Sequence, residues 1–169
     1  RRISFGCGIP QRAGDFGLET VNGMTWLVRA VADETHIRPR KDASASPAVQ
    51  LQRLMPADAL RIRGRHNACN ALAALALASE TGAALAPMLY GLREYRGEAH
   101  RVEPVGVING VEYFDDSKGT NVGAALAALR GLGVERKLVA ILGGEGKGQD
   151  FAPLMPAVRA HCRAVVLIG

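Results

Sequence analysis

Along this chain a two-residue alternation of apolar and polar positions gives way, in places, to a helical period. Residues 16–21 and 24–31 have the β-branched and aromatic content of strands, and the Asn22-Gly23 pair between them predicts a hairpin with a type I′ turn. Val49-Gln50-Leu51-Gln52 alternates as a short strand should, and residues 59–64, after Pro56, read as another. From His66 or Asn67 to Thr81 the period lengthens. Leu72, Leu75, Ala76 and Ser79 recur at helical spacing in an alanine-rich background, and Gly82 supplies a stop. Residues 87–95 read as a second, shorter helix carrying Gly91.

The pattern changes at Arg96-Gly97-Glu98, the expected domain boundary. Segments 102–108 and 111–114 flank Asn109-Gly110 and predict a second hairpin. A helix over 122–132, a buried strand over 138–142, a glycine loop, a helix over 151–160 and a terminal buried strand over 165–169 complete a β-α-β-α-β order. Such alternation predicts an α/β fold with right-handed crossovers, a largely parallel sheet and ligands at the carboxyl ends of its strands. Segments 115–121 and 143–150 should then emerge at the same end of that sheet.

Composition narrows the class. The 169 residues suffice for one domain or two small ones, and both ends, the first without Met and the last on an apolar strand, read as cuts in a longer protein. Apolar residues make up 48% and aromatics only 5%, which fits an Ala/Leu/Val-rich α/β protein and excludes a disordered one. No apolar run approaches a membrane span and no signal-peptide core follows Arg1-Arg2, so a soluble protein without a membrane partner is expected. The net charge of +5 would suit an anionic partner. However, Arg38, Arg40, Lys41, Arg53, Arg61, Arg63 and Arg65 are strung among prolines and apolar residues without an aromatic platform, the pattern of a solvated surface and not of nucleic-acid binding. Residues 41–47 form a polar loop. Cys7, Cys69 and Cys162 are scattered and lack metal-ligand spacing, so they read as reduced, buried thiols with no zinc site.

The densest chemistry is Asp115-Asp116-Ser117-Lys118-Gly119-Thr120-Asn121, between a strand and a helix. Thr120 or Asn121 can cap the helix, and Lys118 sits just outside the positive end of its dipole, where a phosphate or carboxylate is welcome. Asp116 and Thr120 could merely tidy the turn, but seven polar or glycine residues exceed what capping needs. Asp115 and Asp116, as strand neighbours, should face opposite sides. A second loop, Gly143-Gly144-Glu145-Gly146-Lys147-Gly148-Gln149-Asp150, can expose amides and bring Lys147 to an anion, or serve as a mere turn. It is not a Walker A loop: Ile141 stands where the first glycine belongs and Gly148 where Ser or Thr should be.

Asn67 and Asn70 share a face at the first turn of the long helix and present the paired donor and acceptor suited to a purine edge. Equally, Asn67 could be an N-cap, Asn70 a surface residue and His66 a capping or surface residue. His100-Arg101 offers a guanidinium fork for phosphate, or an ordinary surface arginine.

Taken together, Gly64-Arg65-His66-Asn67-Ala68-Cys69-Asn70-Ala71-Leu72-Ala73-Ala74, His100-Arg101, Asp115 to Asn121 and Gly143-Gly144-Glu145-Gly146-Lys147 resemble the successive motifs of the Mur ligases, from about Gly64 to Asp150. The resemblance, nearest to the D-glutamate-adding branch, implies a cytoplasmic enzyme of peptidoglycan precursor synthesis. It would join D-glutamate to UDP-N-acetylmuramoyl-L-alanine through an acyl phosphate, using ATP and Mg2+. It further implies that residues 1–97 are the C-terminal part of a central ATP-binding domain, and residues 98–169 the first half of a Rossmann-like C-terminal domain. By the same analogy Asn67 and Asn70 contact adenine, and Arg101 and Asp116 the phosphate and ribose region. Lys118, Thr120 and Lys147 hold the reacting carboxylate end and D-glutamate, with Lys118 and Arg101 as the catalytic cations. Ser117 and Asn121 would shape the loop.

The chain departs from the family pattern. It has no phosphate loop of the Gly-x-x-Gly-Lys-Thr/Ser type, no magnesium-holding glutamate and histidine, and no candidate for the modified lysine, and Gly119 stands where alanine is common. The chain alone is therefore expected to be inactive, with the magnesium ligands outside it. A ligase for another amino acid, a folylpolyglutamate synthase or a non-catalytic nucleotide-binding α/β module remain the alternatives.

Overall fold

Asn22 and Gly23 adopt φ of 52° and 80°, the pair of left-handed residues that a type I′ turn requires, and they join β1 (Phe16–Val21) to β2 (Met24–Ala32) in antiparallel register. The computed structural model describes residues 2–33, 48–134 and 136–169, so Arg38, Arg40, Lys41 and the loop over 41–47 lie outside the described residues. It divides into two compact units, Arg1–Arg61 with Ala68–Tyr95, and Ile62–Asn67 with Arg96–Gly169. No helix among the described residues is long and apolar enough to cross a membrane.

In the first unit β3 (Val49–Pro56) pairs antiparallel with β2 and extends beyond the alternating segment 49–52. The strand expected over 59–64 does not form. After Pro56 the chain turns into a short 3-10 helix (Ala57–Ala59) closed by the Leu60 N–H on the Ala57 carbonyl, and Gly64 has a left-handed φ of 93°. Leu60 is buried by this turn, which explains an apolar residue that had suggested a strand. Helix α1 (Arg65–Glu80) buries Ala68, Ala71, Leu72, Leu75 and Ala76, a stripe at helical spacing, and is followed by Gly82 at φ 80°. Helix α2 (Leu85–Glu94) ends the unit. Phe16, Leu18, Leu27, Val28, Ala30 and Met55 complete its buried apolar set, and each large side chain so buried contributes about 2 kcal/mol. Cys7 and Cys69 are bonded as a disulfide with Cα atoms 5.9 Å apart, which corrects the reading of scattered reduced thiols. Their separation along the chain concealed their proximity in the fold.

In the second unit β4 (Glu103–Ile108) and β5 (Val111–Asp115) form the expected hairpin, turning at Asn109 and Gly110 with φ of 51° and 78°. Helix α3 (Val122–Leu132), β6 (Leu138–Gly143), α4 (Leu154–His161) and β7 (Cys162–Ile168) follow, and β6 and β7 are parallel. This is a mixed α/β architecture, but not the single largely parallel sheet expected. Among the described residues β4–β5 and β6–β7 are separate two-stranded sheets. Nor are the last two strands buried throughout. Leu138, Ala140 and Leu142 pack with Leu126 and Leu129 of α3 and Leu154, Ala157 and Val158 of α4, while the alternate residues Val139 and Ile141 are exposed. Both helices cover the same face.

Candidate functional site

The turn after β5 is bound to the segment 100–102 by three hydrogen bonds. His100 Nδ1 lies 2.7 Å from Asp115 Oδ2, the Val102 N–H donates to Asp116 Oδ1 at 3.1 Å, and the Lys118 N–H donates to the His100 carbonyl at 3.0 Å. The two carboxylates do not divide between opposite sides as strand neighbours would. β5 ends at Asp115, so its alternation stops there, and both side chains accept bonds from the same segment. The His100 bond, with those from Ser117, holds the Asp115 carboxyl well down, at about 2. Partial burial pushes the Asp116 carboxyl up, against the Val102 bond and the nearby His66 and Arg101. Gly119 fits closely here: an added Cβ would stand 2.7 Å from Asp116 Oδ2, so alanine would require the carboxylate to move.

The strand-to-helix junction closes with Asn121, whose Oδ1 accepts the Ala124 N–H at 2.9 Å and so caps α3. Thr120 is exposed beside it. Lys118 is exposed and makes no side-chain hydrogen bond or ion pair among the described residues. Lys147 is likewise exposed and unengaged, at a φ of 49° between Gly146 and Gly148. Although β5 and β6 belong to different sheets, the loops that follow them meet. Gln149 Oε1 accepts the Val122 N–H at 3.1 Å and Gln149 Nε2 donates to the Thr120 carbonyl at 3.4 Å. Sequence reasoning named the loop but gave Gln149 no role. Nothing local could have shown where a carboxamide would reach.

At the start of α1, Asn67 is inside the helix and not its N-cap. Its Nδ2 donates to the Arg63 carbonyl at 2.8 Å. Asn70 is exposed one turn on. His66 neither caps nor lies on the surface. Burial pushes its imidazole below the usual histidine range, with Asp116 opposing, and Nδ1 has no partner among the described residues. The ring lies where a Cβ on Gly131 would come within 2.1 Å of Nδ1, so α3 needs glycine at that point.

His100, Glu103 and Asp115 bring potential ligand atoms within 4.8 Å of one another. They do not suit magnesium, which takes oxygen ligands and keeps several waters. Glu103 Oε2 already accepts the His100 N–H at 2.9 Å, the Asp115 Oδ1 accepts the Ser117 N–H at 2.8 Å, and the remaining Asp115 oxygen is taken by the imidazole.

The family described as Mur ligase, glutamate ligase domain, matches residues 100–169. Over 168 residues the chain is 70% identical to the UDP-N-acetylmuramoylalanine--D-glutamate ligase of Albidiferax ferrireducens, covering 99% of this chain and 33% of the relative. The enzyme of the same name from Polaromonas sp. is 71% identical over 98% of this chain and 28% of its own length. That from Burkholderia ambifaria is 58% identical over 100% and 34%. The chain thus spans about a third of the length of these curated relatives. The resemblance carried by the four ordered motifs is borne out: residues 100–169 match the Mur ligase glutamate ligase domain, and the chain is similar along nearly all its length to D-glutamate ligases.

Proposed function

We propose that this chain is the portion of an ATP-dependent ligase at which D-glutamate meets an activated UDP-N-acetylmuramoyl-L-alanine, in the cytoplasmic synthesis of peptidoglycan precursors. The observation that carries the reading is the pair of exposed, unengaged ammonium groups, Lys118 and Lys147, on two loops joined through Gln149, in a chain 70% identical to a D-glutamate ligase. Residues 1–97 would belong to the central ATP-binding domain and residues 98–169 to the first half of a Rossmann-like domain, to which the parallel β6–β7 pair is suited.

The chemistry asks little covalent work of the protein. The substrate carboxylate takes the γ-phosphoryl group of ATP, releasing ADP. The D-glutamate amine then attacks the acyl carbon, phosphate leaves, and the nitrogen loses a proton as the amide forms. Each step gathers anionic oxygens, so catalysis is positioning and charge neutralisation. Lys118 neutralises the reacting carboxylate end, Lys147 and Thr120 hold D-glutamate, Asn67 and Asn70 receive adenine, Arg101 neutralises the nucleotide's phosphate, and Asp116, with one oxygen on Val102, offers the other to the nucleotide. Magnesium accompanies ATP in such chemistry, and its ligands are assigned outside this chain.

The test is ligation by the full-length protein carrying this chain, with UDP-N-acetylmuramoyl-L-alanine and ATP. Product is expected with D-glutamate and not with L-glutamate, L-alanine or L-lysine. Preference for one of the others would overturn the specificity, and absence of any ATP-dependent product would overturn the ligase.

A further inference from the structure

We infer that Gln149 is a positioning residue that sets where Lys147 stands relative to Lys118 and Thr120, an inference that rests on the D-glutamate reading above. Val122 is the first residue of α3, and its N–H is one of the donors that a helix cannot satisfy internally. Asn121 takes the Ala124 N–H and Gln149 Oε1, from the other loop, takes that of Val122 at 3.1 Å. The same carboxamide donates to the Thr120 carbonyl at 3.4 Å, so both of its ends are used and its orientation is determined.

On one side of this link the Gln149 N–H closes a turn on the Gly146 carbonyl at 3.0 Å, with Lys147 held inside the turn. On the other, the Thr120 N–H bonds the Lys118 carbonyl at 2.9 Å, and the Lys118 N–H bonds that of His100 at 3.0 Å. An unbroken run of hydrogen bonds therefore leads from the Lys147 turn to the Arg101 segment, with the Gln149 side chain as its link between the loops. An ordinary cap would need only the acceptor. The Nε2 bond to Thr120 and the short turn around Lys147 make the residue a spacer as well.

In the full-length protein Gln149→Ala is expected to raise KM for D-glutamate about tenfold, the effect of losing one or two hydrogen bonds, with KM for ATP unchanged. Gln149→Glu keeps an acceptor for Val122 but loses the donor to Thr120. It should hold the unfolding midpoint at the wild-type value yet still raise KM for D-glutamate, which a purely structural cap would not do. Because Gln149 acts through Lys147, adding Gln149→Ala to Lys147→Ala should raise KM no further. Unchanged KM in both single variants, or fully additive losses with Lys147→Ala, overturns the inference while leaving the ligase reading intact. A wild-type protein that does not use D-glutamate overturns that reading and this inference together.

Discussion

The His100 imidazole and the Asp115 carboxylate stand 2.7 Å apart at Nδ1 and Oδ2, and this pair fastens the segment bearing Arg101 to the turn bearing Lys118. The folded Asp115 pKa, about 2, lies below its ordinary 3.8. Its contribution to stability is therefore complete above about pH 4 and is lost as the pH falls toward 2. A carboxyl-carbon NMR titration should find Asp115 still ionised at about pH 3, and a midpoint at its ordinary value would contradict the pairing. Because the pair is exposed, Asp115→Ala should lower ligase turnover several-fold while moving the unfolding midpoint little.

Lys147 and Asn70 provide a separation of roles. In the full-length protein Lys147→Ala should raise KM for D-glutamate about tenfold or more with little change for ATP, and Asn70→Ala should do the reverse. Equal losses in both constants for both variants would reject the division of the site.

His66 makes the second unit sensitive to mild acid. Burial depresses its folded pKa, so its neutral form stabilises the fold above its ordinary value of 6.5, and that stability declines as the pH falls below it and the unfolded chain takes up a proton. The unfolding midpoint should drop between about pH 7 and pH 5, and His66→Gln should flatten that part of the profile. The same slope in wild type and variant would remove His66 as its cause.

Cys7 and Cys69 are 62 residues apart in sequence, and a crosslink closing a loop of that length stabilises by about 4 kcal/mol in the chain-entropy view. Protein kept from reductant and then denatured should show one reactive thiol, Cys162, and three after reduction, with a lower unfolding midpoint in the reduced form. Three thiols before reduction would mean that the pair is not crosslinked.

Local pattern carried much of this fold. Asn22-Gly23 and Asn109-Gly110 announced both hairpins because only residues tolerant of positive φ fit those turns. Leu72, Leu75 and Ala76 announced the buried side of α1 because a helix brings them onto one face. What escaped depends on partners distant in sequence. The separation of β5 from β6, the exposure of Val139 and Ile141, the Cys7–Cys69 bond and the reach of Gln149 leave no periodic trace. The segment 59–64 misled because Leu60 is apolar for the sake of a turn and not of a strand.

Arg101 lies between two residues in the left-handed region, His100 at φ 64° and Val102 at φ 51°, and for a β-branched, buried valine that conformation costs about 1–3 kcal/mol. The guanidinium is exposed, and the bonds that hold its surroundings come from its neighbours and not from its own side chain. Arg101 is thus placed by its backbone and not held by its side chain. A substitution of Arg101 would therefore change the charge at this surface while leaving the hydrogen-bonded frame around it intact, whereas a substitution that relaxes the Val102 backbone would redirect the segment with every charged group still present.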